Sequence, residues 1–434
     1  MVELVLAFAV VLFAAVLISG IAHRTVLSTA VLFLVAGFVL GEGVLALVPL
    51  TGGTHSVRLL AEGALFAVLF TDGMRLDVRD LRAHWRLPAR ALGLGMPLTF
   101  ALIALVARYL VGLDWPEALL IAAVLSPTDP VFAAALLSRE RVPYRVRHLL
   151  NVESGLNDGI TLPIVVVLLA LAADKASHPA ALAGELGLGV LVGVGVALVG
   201  IALERLPWLT ATTRYEPLGA FAIGLIVLAL CLLTHANMFL AAFTAGVAIA
   251  TASPEMRAAF DRFGESIAEL LKLAALLAFG ALMSPTFLAE IPLSGWIFAF
   301  LVLLVARPVA MLLALAGSGL GKRERTAVAW FGPKGFASVV YGLLVLESDL
   351  ARSDELFHLA ALAIVISILA HSSTDIVVAS RFPRPARQSP PEDGGANEPP
   401  GSSAPEGRPP DAPAGGGPGA SPGGDMQAGD PHSR

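Results

Sequence analysis

The sequence predicts an all-α polytopic membrane protein. Of its 434 residues, 56% are hydrophobic and only 15% are charged. Average soluble domains are about 45–50% apolar, with roughly a quarter of their residues charged. The charges here fall in clumps between apolar runs of about 17–25 residues, the length that crosses a bilayer as a helix. Beyond Arg381 the apolar residues nearly vanish, and Pro, Gly, Ser, Asp and Glu take over.

Taken in order, the apolar runs predict about thirteen transmembrane helices. The first seven cover 3–19, 26–48, 57–73, 88–110, 115–138, 146–172 and 182–204. The other six cover 217–233, 237–252, 263–283, 292–316, 324–346 and 357–380. The first run has no basic residues before it and no small-residue cleavage motif, so it reads as a retained helix rather than a signal peptide. The ninth is short and parted from the eighth only by Thr234-His235-Ala236. Residues 1–380 therefore form one transmembrane domain. A cytoplasmic tail follows over 381–434, too polar to offset its ordering entropy and expected to be disordered.

Loop charge sets the expected orientation. Alternate connections carry Arg24; Arg75, Arg79, Arg82, Arg86 and Arg90; and Arg139, Arg141, Arg145 and Arg147. The same side continues with Arg205, Arg214, Arg257, Arg262, Lys322, Arg323, Arg325, Arg381, Arg384 and Arg387, against Arg58, Arg108, Lys175 and Arg352 opposite. The positive-inside rule then places the N-terminus outside and the C-terminus in the cytoplasm of a plasma-membrane protein. With helix seven as a linker, helices one to six and eight to thirteen form two repeats of inverted orientation, a pattern of secondary transporters. The fifth helix of each repeat is interrupted, by Ser126-Pro-Thr-Asp-Pro130 and by Gly332-Pro-Lys-Gly335.

The composition also excludes several classes. Basic residues lie in short loops, not in a patch with interleaved aromatics, so no nucleic-acid partner is expected. The single cysteine, Cys231, cannot form an internal disulfide and reads as packing. Nine histidines are scattered without metal-ligand spacing. No cofactor is expected, and no catalytic residue is assigned.

The chemistry concentrates in two segments. Pro127 and Pro130 have no amide hydrogen, so the carbonyls of Ala123 and Ser126 lose their helical donors. Unpaired backbone within a membrane is tolerated where it lines a cavity. These carbonyls, with the hydroxyl and carbonyl of Thr128, are hard ligands for a small alkali cation. Asp129 is expected near a positive half-helix end, and Lys334 near the negative ones. In the sixth helix, Asn151-Val-Glu-Ser-Gly-Leu-Asn-Asp-Gly159 stacks Ser154 over Asp158 and Glu153 over Asn157. Asp158 is the expected exchangeable acid. Out of water it takes a proton more readily, a bound cation opposes this, and one site with two competing ligands is sufficient for exchange. Asn157 either orients Asp158 or bridges to the broken helix. Arg307 lies inside the eleventh helix and needs an anion. Glu153 is the preferred partner, with Asp129 or helix-end carbonyls as alternatives. One exchangeable carboxylate implies one cation per proton, hence electroneutral exchange.

Leu125-Ser-Pro-Thr-Asp-Pro-Val131, Glu153-Ser-Gly-Leu-Asn-Asp-Gly159, Arg307-Pro308 and Gly332-Pro-Lys-Gly335 together resemble the monovalent cation/proton antiporters, in particular the NhaP-like branch related to animal sodium/proton exchangers. The resemblance covers roughly residues 1–380. It implies a homodimer of thirteen-helix protomers, each with a six-helix core and a dimerisation domain, working by an elevator motion. It also implies Na+ or Li+ at Asp158, Ser154 and Thr128, with Glu153 salt-bridged to Arg307. The third helix departs from the family pattern: in Leu69-Phe-Thr-Asp-Gly-Met74 the acid lies one place along. Asp72 therefore has three readings: a ligand, a funnel lining, or a partner of Arg75. Glu265, Glu269 and Lys272 read as a helix end facing water, without a site role.

Sodium/proton exchange is the main expectation and potassium/proton exchange the alternative, since cation choice depends on cavity size and oxygen count. A cation channel would need a continuous polar lining. An intramembrane aspartyl protease would use Asp129 and Asp158, but Asn157, the prolines and Arg307 have no place in a paired-acid hydrolase.

Overall fold

The structure is a computed structural model. It describes residues 2–22, 29–41, 43–48, 55–76, 84–129, 142–173, 179–206, 208, 215–380 and 382. Pro130, the tail beyond Phe382, and Arg24, Arg79, Arg82, Arg139, Arg141, Lys175, Arg214 and Arg381 lie outside them.

The described residues form fifteen helices. They are α1 (Val2–Ala22), α2 (Thr29–Leu40), α3 (His55–Arg75), α4 (Arg86–Val111), α5 (Trp115–Leu125), α6 (Tyr144–Ala172), α7 (Pro179–Glu204) and α8 (Glu216–Thr234). Then come α9 (Met238–Ala252), α10 (Pro254–Ala281), α11 (Pro285–Glu290), α12 (Leu293–Ala314), α13 (Lys322–Trp330), α14 (Phe336–Leu346) and α15 (Ser353–Ser380). Six are long and apolar enough to cross a membrane: α4, α6, α8, α12, Ala180–Glu204 within α7 and Ser353–Thr374 within α15. Each predicted apolar run contains a helix, but α2 ends at Leu40 although the second run reaches 48, α5 ends at Leu125 with residues 130–138 of the fifth run outside the described residues, and the twelfth run is divided into α13 and α14.

Three further features differ from the expected spans. Helix α10 starts at Pro254, not at 263, because the Ser253 hydroxyl accepts the Met256 amide and Pro254 opens the first turn. The short α11 was not expected; it is capped by Ser284, whose hydroxyl accepts the Phe287 amide at 3.1 Å. Helices α4 and α12 each widen into a π-type turn, over Ala91–Gly95 and Val302–Ala306, just before Pro97 and Pro308. A proline deprives the carbonyl four residues earlier of its donor and crowds it, and one wider turn relieves both. α4 widens once more over Ala107–Val111 before Gly112 ends it at φ 85°.

Packing sorts the helices into two groups. In one, α3 lies on α9 and α10, α2 on α10, and α7 and α8 on α9. In the other, α5 packs against α4 and α6, α12 against α13, and α14 against α15. Contact between the groups runs mainly through α3, α9 and α10 against α6 and α14. The α3–α9 contact requires glycine. A Cβ on Gly73 would stand 2.4 Å from the Phe243 carbonyl oxygen, and one on Gly246 would stand 2.3 Å from that of Phe70. Small residues let membrane helices approach to backbone contact, and here that contact fixes the depth of Asp72 beside the second group.

Candidate cation site at the broken helices

Two interruptions meet at the centre of the second group. Helix α5 stops at Leu125, and Ser126, Pro127, Thr128 and Asp129 run on without helical structure, all buried. Helix α13 stops at Trp330, and α14 begins only at Phe336. Both backbones have unspent hydrogen-bonding groups at these points, and they spend some on each other. The Asp129 amide donates to the Pro333 carbonyl at 3.0 Å. Asp129 Oδ2 in turn accepts the Phe336 amide at 3.1 Å, which places its carboxylate at the positive end of α14. Such closeness is allowed because residue 335 is glycine: a Cβ there would lie 1.8 Å from Asp129 Cβ.

Helix α6 supplies the rest. Asn157 Nδ2 donates to the Thr128 hydroxyl at 2.9 Å and to its carbonyl at 3.3 Å, so of its two readings the structure displays the bridge to the broken helix. Ser154 Oγ lies 3.4 Å from Thr128 Oγ1. Asp158, one turn beyond Ser154, is buried, and its Oδ1 has no hydrogen-bond partner among the described residues. Its own carbonyl accepts the hydroxyl of Tyr341 at 3.1 Å. Sequence reasoning missed Tyr341, since a lone tyrosine in an apolar helix reads as packing. Asn157 Oδ1 and Ser338 Oγ are likewise buried oxygens without partners. These are hard oxygen donors, the kind a small alkali cation takes.

The buried charges behind this cluster are arranged differently. Arg307 Nη1 meets Glu153 Oε1 at 2.8 Å, with both side chains at most 5% exposed. Its Nη2 donates to the Phe331 carbonyl at 2.9 Å, at the negative end of α13. Arg307 thus has two of its expected partners at once, an acid and a helix-end carbonyl. Gly332 leaves room for the guanidinium; a Cβ there would stand 1.6 Å from Arg307 Nε. Lys334 donates its backbone amide to Ser367 Oγ at 2.9 Å. Its Nζ is buried without a hydrogen-bond partner among the described residues, so the helix-end contact is made by Arg307.

Asp72 sits at the edge of this region, 3.8 Å from Arg75, which is also bound to Glu265 at 2.8 Å. The expectation for Lys272 needs correcting. It does not face water: with α10 starting at Pro254 it lies deep in the helix, is 9% exposed, and interacts electrostatically with Asp129, Asp72 and Glu269. Glu265 is exposed, as expected.

Comparison with known proteins agrees with this architecture. Residues 9–379 match the sodium/hydrogen exchanger transmembrane family. The K(+)/H(+) antiporter NhaP2 of Shewanella oneidensis is 26% identical over 377 residues, covering 83% of this chain and 63% of that protein. The K(+)/H(+) antiporter NhaP of Alkalimonas amylolytica is 25% identical, covering 78% and 59%. A probable Na(+)/H(+) antiporter of Schizosaccharomyces pombe is 27% identical, covering 76% and 47%. The chain thus spans less than two thirds of the length of these relatives. In fold it is similar to the sodium proton antiporter MjNhaP1 of Methanocaldococcus jannaschii, with a TM-score of 0.71 over 88% of this chain and 99% of that one, at 18% identity. An all-helical membrane architecture of this fold, with a match along most of its length, makes the chain a member of the sodium/hydrogen exchanger family, in its NhaP-like branch.

Proposed function

We propose that this protein exchanges a monovalent cation for a proton across a membrane, the two competing for the carboxylate of Asp158. The observation that carries the reading is a contrast: Glu153 is ion-paired with Arg307, whereas Asp158, one turn beyond Ser154, has a buried Oδ1 without a partner and no ion pair among the described residues. Leaving such a group unsatisfied is costly, and either a proton or a cation relieves it. Asp158 and the oxygens of Ser154 and Thr128 are the ligands in this reading, and Asn157 and Asp129 hold the broken helix in register. Lys334 offsets negative charge behind the site. Asp72 lines the approach beside Arg75.

Potassium is the first cation to expect. The sequence alone favoured sodium or lithium, but two of the relatives compared above are named K(+)/H(+) antiporters, against one named a probable Na(+)/H(+) antiporter. One exchangeable carboxylate gives one cation per proton, hence electroneutral exchange. The two packing groups would be a moving core and a dimerisation domain in a homodimer, with the N-terminus outside and the C-terminus in the cytoplasm. In support of two inverted repeats, the fourth and eleventh predicted spans carry the same proline-linked π-type turn, and Gly95 of one packs on Met311 of the other.

The test is a pH-gradient dye assay in proteoliposomes, with potassium, sodium and lithium added in turn. Potassium-dependent dequenching that is lost in Asp158→Asn is expected. Dequenching with sodium alone would return the reading to sodium/proton exchange, and full activity in Asp158→Asn would reject the site.

A further inference from the structure

The buried ammonium of Lys272 is not used by the reading above. An ion taken out of water into a membrane protein persists where opposite charge meets it. The acids that attract this one electrostatically are Asp129 from the first break, Asp72 from α3 and Glu269 from its own helix, and its charge also acts on Asp158. Arg75 and Glu265 complete the surroundings, bound to each other at 2.8 Å. Among the other helices packed on α10, the spans of α2, α9 and α14 hold no charged residue, and α1 and α8 hold one each, in their first turns. Lys272 lies seven residues beyond Glu265, which is two turns along the same helix face. That face packs on α3, and α10 also touches α14, the helix that Asp129 caps. The lysine therefore stands where the two packing groups meet, between the acid of the approach and the acid of the break.

We propose that Lys272 is a built-in counter-ion of the cation site: its fixed charge offsets part of the negative charge of Asp72, Asp129 and Asp158 and so weakens the hold on the transported cation. This deepens the exchange reading and rests on it. The charge works as an affinity determinant. It repels the incoming cation, so the site loads at higher cation concentration and releases its cargo faster. Lys272 acts on the site through its charge, on Asp158 as on Asp72 and Asp129.

The test measures half-saturating potassium concentration and maximal rate in proteoliposomes of the full chain at fixed alkaline pH. One unit charge a side-chain length away, through an effective dielectric near 20, changes cation binding by about a hundredfold. Lys272→Gln is therefore expected to lower the half-saturating concentration about a hundredfold and to lower the maximal rate, while Lys272→Arg keeps both near wild type. Removing acid and base together, in Lys272→Gln/Asp72→Asn, leaves the net charge around the site unchanged and guards against a single variant that fails to fold. Its half-saturation is expected within about twofold of wild type. Unchanged half-saturation in Lys272→Gln overturns the proposal, as does a Lys272→Arg variant that behaves like Lys272→Gln, or a double variant outside that window. Failure of the exchange reading is distinguishable, because it shows as absent flux in wild type or retained flux in Asp158→Asn.

Discussion

Glu153 and Arg307 lie on helices far apart in sequence and yet form a pair almost sealed from solvent. Each partner alone would be an uncompensated buried charge. Glu153→Gln or Arg307→Met should therefore cost about 3–5 kcal/mol. Thermal unfolding of the purified protein should show the double variant less destabilised than either single one. Tyr341 offers a milder contrast. Its hydroxyl donates to the Asp158 carbonyl, so Tyr341→Phe should cost about 0.5–1.5 kcal/mol and leave exchange measurable. At this scale the sequence was informative wherever a charge stood in an apolar run, because lipid tolerates no idle charge. It was silent where the partner is backbone, as with the Phe331 carbonyl that Arg307 also binds. It misled at Lys272. The helix start was set too late, although Ser253-Pro254-Glu255 is a readable cap.

At the scale of elements, the two interrupted helices are joined by a few bonds that only glycine permits. Gly335→Ala would put a methyl group 1.8 Å from Asp129 Cβ, so the breaks must separate. Loss of the Asp129–Phe336 and Asp129–Pro333 bonds should follow, and exchange in proteoliposomes should fall by on the order of a hundredfold if this geometry positions the reacting groups. Gly63 meets no atom within 4 Å of its would-be Cβ. Gly63→Ala should therefore leave exchange near wild type. The interruptions were legible in Ser126-Pro-Thr-Asp-Pro130 and Gly332-Pro-Lys-Gly335, since prolines and glycines in a membrane run have few other uses. Their mutual hydrogen bonds were not, because pairing between distant backbones leaves no mark on either sequence. The π-type turns before Pro97 and Pro308 were readable in principle from the prolines. Helix α11, six residues long, gives too short a period to detect.

For the whole molecule, exchange at one carboxylate makes protons and cations competitors. Each unit of acidification below the site's own proton affinity should then raise the half-saturating potassium concentration by about tenfold, while well above it the value should level off. Flux assays across a pH series would check this, and a half-saturation independent of pH would contradict it. Because one charge replaces another, the rate should not respond to an imposed membrane voltage. The membrane helices themselves were the most legible feature of the chain. Bilayer thickness imposes their length, and each predicted run contains a helix of the structure, though the ends near 40, 125 and 254 were misplaced. How they sort into two packing groups was not legible, since apolar helix faces are alike in sequence and differ only in where small residues allow close approach.

The most direct test of the shared carboxylate counts protons. Potassium binding to the purified protein, titrated calorimetrically at acidic pH in buffers of different ionisation enthalpy, should release about one proton per cation bound. In Asp158→Asn that release should vanish. Cation binding without proton release in the wild type, or undiminished release in the variant, would contradict the account.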